Sequence, residues 1–214
     1  MYIMKKLQRG VLITFEGIDG SGKTTLINHL ATYFASTFDI ITTREPGGSI
    51  LGNTVRALVS GPEIHLDHKA EFLLFAAARA QHIKHVIAPA LTQHKIILCD
   101  RMADSSLAYQ GYGRGLDINF IKCVNEWVMD GIRPDLTFYI ALNHQEALIR
   151  IHQRGAPTAF DQEQSMFFER VIAGYEAIFK HASHVRNIDG AQLPSRITSQ
   201  AINDIANYLA QECL

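Results

Sequence analysis

The chain has 214 residues, 47% hydrophobic and 19% charged, with a formal net charge of −1. That length suits one α/β domain, and the near-neutral balance excludes a broad electrostatic footprint for nucleic acid or an anionic membrane. No stretch approaches the ~20 consecutive apolar residues of a membrane span, so no membrane partner is expected.

The first predicted strand, Val11–Glu16, runs into Gly17-Ile18-Asp19-Gly20-Ser21-Gly22-Lys23-Thr24, a complete G-x-x-x-x-G-K-[ST] loop. A predicted helix over Thr24–Ser36 follows, with Thr25 in its first turn. Strand, glycine loop and helix in that order are the setting a phosphate-binding loop requires. Glycines let successive backbone N–H groups turn inward around phosphate oxygens, and the helix N-terminus adds partial positive charge. Lys23 would reach the outer phosphates as a point charge, and the Thr24 hydroxyl would ligate Mg²⁺. An accidental glycine-rich turn is the bland alternative, which both flanks oppose. The pattern therefore points to a nucleoside triphosphate. Glu16, at the strand end, is either a carboxylate standing behind the metal ligands or a plain strand-end charge.

The second predicted strand, Asp39–Thr43, leads into Thr43-Arg44-Glu45-Pro46-Gly47-Gly48. Arg44 would emerge near the phosphate loop with a planar fork suited to a monophosphate; read from the residues alone, the segment is a turn bearing a charge pair. A helix is predicted near Thr54–Ser60 and another over Lys69–Ala88. Phe75 and Arg79 stand one turn apart on the latter and share a face. They either stack a base and bond its edge, or form a core residue beside a solvated flank.

The strand Ile96–Asp100 ends in a carboxylate that can hold Mg²⁺ through water, and Arg101 places a cation at the sheet edge where open α/β folds bind ligands. A structural Asp–Arg turn is the alternative. Ser105, Ser106, Tyr109 and Gln110 lie in Asp104–Gly115, which reads as a polar, glycine-rich turn with Arg114 poised to contact an anion. Helices Ile118–Met129, Gln145–Arg154, Met166–His181 and Ser199–Ala210 and strands Leu136–Ala141 and His184–Ile188 complete the alternation. Gly155-Ala156-Pro157-Thr158 resembles a flap over a phosphate site. This pattern predicts an α/β, three-layer α/β/α fold: a five-stranded, mostly parallel sheet in a single domain spanning 1–214, with a lid at about 150–164.

Cys99, Cys123 and Cys213 are far apart, odd in number and without C-x-x-C spacing, which suits a reduced cytoplasmic interior. The apolar run after Lys5, Lys6 and Arg9 is too short for a signal peptide. Ten histidines are scattered without a ligand pattern, so no structural metal is expected.

Together the phosphate loop with Asp19, Thr43–Gly48, Phe75-x-x-x-Arg79, Asp100-Arg101 and Ala108-Tyr109-Gln110-Gly111 resemble bacterial thymidylate kinase, in the family's order and spacing across nearly the whole chain. The resemblance implies phosphoryl transfer from ATP to dTMP with Mg²⁺, in a P-loop fold and as a homodimer. It assigns Asp19 to the sugar 3′-OH, Arg44 and Arg101 to the dTMP phosphate, Phe75 to stacking on thymine and Arg79 to its O4. Ser106 faces the N3 edge, Tyr109 packs on the sugar and disfavours a 2′-OH, and Gln110 helps close the pocket. The backbone from Asp19, with Lys23 and Thr24, holds ATP and Mg²⁺, and Asp100 supports the metal. Arg154 matches the flap arginine that members with glycine at the Gly20 position supply, with Arg150 one turn earlier. Adenine contacts are expected near Asp189-Gly190.

The chain departs from the family in two places. Where many relatives carry an Asp-Arg pair along the flap, it reads Thr158-Ala159, and Met102 replaces an aromatic residue or histidine. Two other readings compete: a kinase for another nucleoside monophosphate, and a non-catalytic nucleotide-binding module. A switch GTPase would need a guanine-reading N-K-x-D element, which Asn143-His144-Gln145-Glu146 does not supply.

Overall fold

The computed structural model describes residues 7–61, 64–153 and 165–213. Five strands form one sheet in the order β2-β3-β1-β4-β5, and every pairing is parallel. These are β1 (Val11–Glu16), β2 (Ile40–Arg44), β3 (Ile96–Asp100), β4 (Leu136–Ala141) and β5 (Val185–Asp189). β1, β3 and β4 read as near-continuous apolar runs because both their faces are covered. The edge strands β2 and β5 are less buried and more polar, which is why their predicted bounds were off by a residue.

Alternation along β1 feeds two cores. Val11, Ile13 and Phe15 pack with α1 (Lys23–Phe34) and α9 (Pro194–Glu212) through Leu30, Ile205 and Leu209. Leu12 meets Ile83, Ile87 and Met102 on the opposite face. Helices on both faces give the three layers. Because all strands run parallel, their carboxyl ends bring Glu16, Arg44 and Asp100 to one edge.

Beyond shifts of a residue or two at element ends, four segments differ from the sequence expectations. α2 covers Ile50–Ser60, starting earlier than expected because the Ser49 hydroxyl accepts from Gly52 N at 3.0 Å and caps it. α9 begins with Pro194 in its first turn, where a missing N–H costs nothing. The helix expected over Lys69–Ala88 divides into α3 (His68–His82), a π-helical stretch Ile83–Ile87 and α4 (Ala88–Thr92); Pro89 has no N–H to give the carbonyl four residues back, and the helix widens just before it.

The fourth is the polar segment after Arg101. It is no turn: α5 (Ala103–Ser106) continues into a π-helical Leu107–Gly113. The remaining helices are α6 (Ile118–Met129), α7 (His144–His152) and α8 (Ser165–Phe179). A Cβ on Gly113 would lie 2.7 Å from the Phe167 ring, so glycine here permits packing on α8 and does not mark a loop. Arg114 is also not poised for an anion. It pairs with Glu71 at 3.5 Å and lies over the Phe167 ring at 4.6 Å. Of the predicted lid at 150–164, residues 154–164, including the Thr158-Ala159 departure, lie outside the described residues.

Candidate active site

A cleft of about 390 Å³ opens along the carboxyl edge of the sheet, within the range of small-molecule sites. Its phosphate-loop wall holds Asp19, Gly20, Gly22, Lys23 and Thr24; the opposite wall holds Phe75, Arg79, Ser106, Tyr109 and Gln110; Arg44, Asp100 and Arg101 lie between. Of the other expected site residues, Gly17, Ile18, Ser21, Thr25 and Arg150 are not on its lining. Arg154 lies outside the described residues.

Gly22 precedes α1 with φ 101°, a left-handed conformation that any L side chain would strain. The Lys23 ammonium donates to the carbonyls of Gly17 and Ile18 at 3.0 and 2.9 Å. Burial and the neighbouring Arg101 cation pull its pKa down to about 8, against Asp100, Asp19 and Glu16. Ile18 keeps its side chain in the core, and Thr25 is exposed on α1. The Thr24 hydroxyl donates to Asp100 at 2.7 Å. Two hard oxygen donors this close fit Mg²⁺, which takes few protein ligands and completes its shell with water and phosphate. Among the described residues no group of three or more His, Cys, Asp or Glu could hold an ion without such help.

Arg101 is the strained residue of the site. Its φ is 67°, which costs a non-glycine residue roughly 1–3 kcal/mol and concentrates at functional positions. Its guanidinium donates to Asp19 at 2.7 Å and to the Tyr109 hydroxyl at 3.1 Å. Burial would raise the Asp19 pKa, but Arg101 and Lys23 outweigh it and hold the carboxylate at about 2. The chain therefore presents Asp19 as an ionised acceptor.

Arg79 is 2% exposed, so the solvated-flank alternative does not hold. It donates to Glu45 (2.7 Å), Asn125 (2.6 Å), the Met102 carbonyl (3.2 Å) and Ser106 (3.0 Å). Glu45 turns inward to Arg79 and to His82 at 3.1 Å, away from the pairing its neighbour Arg44 suggested. Burial pushes the Glu45 carboxyl up, yet Arg79 and His82 hold it below the usual carboxylate range. Phe75 is half-buried on the same α3 face, Leu73 is exposed, and only Phe72 of that group is fully in the core. Gln110 donates to Glu71 at 2.7 Å, which fixes its side chain across the pocket floor. Arg150 donates to the Gly190 carbonyl at 2.8 Å, beside the turn expected to meet adenine.

Sequence reasoning missed Asn125, Tyr175, Glu71 and Arg56. Asn125 and Tyr175 contribute from distant elements, and no spacing announces them. Glu71, by contrast, stands one turn before Phe75 on α3, so the spacing that aligned Phe75 and Arg79 could have found it. Arg56 lines the cleft with Val59, one helical turn along; both lie within the helix expected over Thr54–Ser60, so their shared face was the available signal.

A model of the thymidylate kinase family matches residues 15–202. The chain belongs to the thymidylate kinase family. It is 54% identical to the thymidylate kinase of Halothermothrix orenii over 174 residues, covering 79% of this chain and 84% of that one. Against the thymidylate kinase of an Exiguobacterium species it is 39% identical, with 94% and 97% covered. The crystal structure of thymidylate kinase from Ehrlichia chaffeensis superposes with a TM-score of 0.76 at 35% identity, covering 92% of this chain and 98% of that one. In this family member the sheet order and the cleft thus accompany the motifs, and no described helix is long and apolar enough to cross a membrane.

Proposed function

We propose that this protein transfers the γ-phosphoryl group of ATP to dTMP, giving dTDP and ADP, in the cytoplasm. The observation that carries the reading is one cleft with a phosphate loop on one wall and a buried, fully oriented arginine on the other. Of the five N–H groups of Arg79, four have protein partners, which leaves one for the O4 carbonyl of thymine. Cytosine would offer an amino group there, and a donor facing a donor leaves both unsatisfied. Phe75 stacks on the base, Ser106 meets the N3 edge and Gln110 closes the pocket beside it. Tyr109 packs on the sugar, where a 2′-OH would crowd it, and Asp19 accepts from the 3′-OH.

Arg44 and Arg101, joined by Arg56, hold the acceptor phosphate. Lys23 exchanges two backbone carbonyls for phosphate oxygens, and the loop amides from Asp19 to Thr24 cradle the rest. When bound, Mg²⁺ is held by Thr24 and Asp100, partly through water, and neutralises charge on the transferring phosphoryl oxygens. The chain's own work is in-line positioning plus fixed cations where charge develops. Arg150 serves the adenine end, and Arg154 supplies the flap cation.

A homodimer accompanies this reading. Leu73 on α3 and Phe120 and Trp127 on α6 leave apolar surface exposed, 81% at Trp127, and a second copy would cover it. Trp127→Glu should then halve the mass measured by light scattering; an unchanged mass would remove this face from the interface.

The deciding assay is coupled ADP release with ATP and Mg²⁺ against dTMP, dUMP, dCMP, dGMP, dAMP and their ribose counterparts. Strong turnover on dTMP, weaker on dUMP and little on the rest is expected. A preference for another monophosphate would keep the kinase and discard the base assignment. Tight ATP binding without turnover would favour a non-catalytic module.

A further inference from the structure

We propose that Glu16 is a positioning residue for phosphoryl transfer: it clamps Arg101 from beneath, fixing both the backbone and the guanidinium of that cation. The inference rests on the kinase reading above, because it concerns how the acceptor-phosphate arginine is held.

Glu16 ends β1 and is fully buried. β1's alternation turns it toward the face packed by α5 and α8, away from the α1 and α9 core. Each carboxylate oxygen has a separate task. Oε1 accepts from the Met102 N–H at 2.8 Å, which pins the peptide leaving Arg101. That is the strained point, since Arg101 itself sits at φ 67° with its own N–H given to the Phe15 carbonyl at 2.9 Å. A residue in this conformation persists only where its surroundings over-determine it.

Oε2 accepts from the Ser105 hydroxyl at 2.5 Å and from the Tyr175 hydroxyl at 2.9 Å. The two hydroxyls lie 2.8 Å apart, so one proton is shared between the carboxylate and its neighbouring oxygen. With their protons drawn to Glu16, both oxygens turn lone pairs outward, and Arg101 Nη1 donates to each at 3.2 Å. The other nitrogen, Nη2, is left to the cleft side with Asp19 and Tyr109. Polarity therefore runs one way, from guanidinium through hydroxyls to carboxylate. An amide at this position would break the arrangement in either orientation: its NH₂ would face the hydroxyls and compete with Arg101 for their lone pairs, or face the Met102 N–H donor to donor and release the peptide after Arg101. A simple strand-end charge would be solvated and would not make three bonds to three elements.

The test is a double-mutant cycle on Glu16→Gln and Arg101→Ala, read at pH 8, above the region near 7 where burial and the Asp104 charge place the Glu16 titration. Glu16→Gln should lower kcat/KM for dTMP by ~10–100-fold, as misplacement of a positioning group by about an ångström does, with KM for ATP within about two-fold. In the Arg101→Ala background the same substitution should cost less than ~3-fold, because residues acting as one unit are not additive. Equal losses in both backgrounds would overturn the proposal and leave Glu16 a structural residue only. Should Glu16→Gln fail to fold, Tyr175→Phe combined with Ser105→Ala removes only the two hydroxyls; it should reproduce most of the loss, again only while Arg101 is present, and wild-type kcat/KM in that variant would also overturn it. Absence of dTMP turnover by the unaltered protein would sink the kinase reading, and this inference with it. Normal turnover with an unaffected Glu16→Gln would sink the inference alone.

Discussion

The ends of the cleft proposed to take the base and the phosphate are built on opposite plans. At the base end Arg79 is buried and holds four protein partners, with Glu45 as its counter-charge. At the phosphate end Arg44 is exposed at the tip of β2 and, among the described residues, has no ion-pair partner, while Arg56 donates only to the Pro46 carbonyl. Burial and the nearby Arg44 cation depress Arg56, against Asp100 and Asp19. Two like charges facing one space are unfavourable until an anion enters between them. The contrast teaches a division of labour. On the proposed reading, specificity is set by groups that the fold has already saturated, so a wrong base meets a rigid donor pattern. Phosphate is met by Arg44 and Arg56, cations whose best partner is the substrate, beside an Arg101 already held by Asp19, Ser105, Tyr109 and Tyr175.

Substitutions at the two ends should therefore fail in different ways. Arg79→Ala leaves Glu45 a buried, poorly compensated carboxylate, and removing one member of such a pair costs ~3–5 kcal/mol. Chemical denaturation should show that loss alongside weakened dTMP binding; unchanged stability would mean that Arg79 belongs functionally to the exposed group. Arg101→Ala should lower kcat by roughly 10²–10³-fold, the scale of removing one fixed donor from developing charge. An unaltered kcat with raised KM would confine Arg101 to ground-state binding. Arg44→Ala should leave stability within about 0.5 kcal/mol, as for a surface site. Its effect belongs in dTMP KM, where a lost charge-assisted bond worth ~1.5–3 kcal/mol predicts a rise of about ten-fold or more. A stability loss matching that of Arg79→Ala would erase the distinction between the ends.

The sequence made the phosphate end far more legible than the base end. Lys23, Thr24, Asp100 and Arg101 follow directly from a strand that ends in chemistry, because a buried parallel strand is a simple apolar run and its carboxyl end is where ligands bind. The three central strands were bounded to the residue for the same reason. At the base end the spacing of Phe75 and Arg79 placed them on one face without saying what they faced. Asn125, Glu45 and Met102 reach Arg79 from α6, the turn after β2 and the turn after β3, and only the tertiary fold brings these together. Gly111 and Gly113 misled in the same way: glycine's absence of a side chain serves turns and close packing alike, and only the positions of Ile118 against Gly111 and Phe167 against Gly113 decide between them.

Glu16 tests whether the contrast holds one layer down, since beneath the exposed phosphate cations lies a network as buried as that around Arg79. Burial, reinforced by the Asp104 charge, raises the Glu16 carboxyl from 4.5 to about 7, against Ser105, Arg101 and Tyr175. Between those values the folded protein holds a proton that the unfolded chain has released. Stability from this group is therefore full below about 4.5 and is lost as pH rises through about 7. Asp19 acts with opposite sign: its lowered value of about 2 makes its contribution present above 3.8 and lost only in acid, outside this window. Glutamine mimics the protonated carboxyl and cannot titrate. Relative to the unaltered protein, Glu16→Gln should thus gain in thermal midpoint from pH 5 to pH 8. The change should stay below the one-proton limit of roughly 1.4 kcal/mol per pH unit, because Asp104, also raised by its burial, shares the titration. Its activity relative to the unaltered protein should fall over the same range in which its relative stability rises, because only the unaltered protein ionises Glu16 there. A variant that lost stability steadily toward pH 8 would instead mean that the ionised carboxylate is the favoured folded form, held by Arg101 as firmly as Glu45 is held by Arg79.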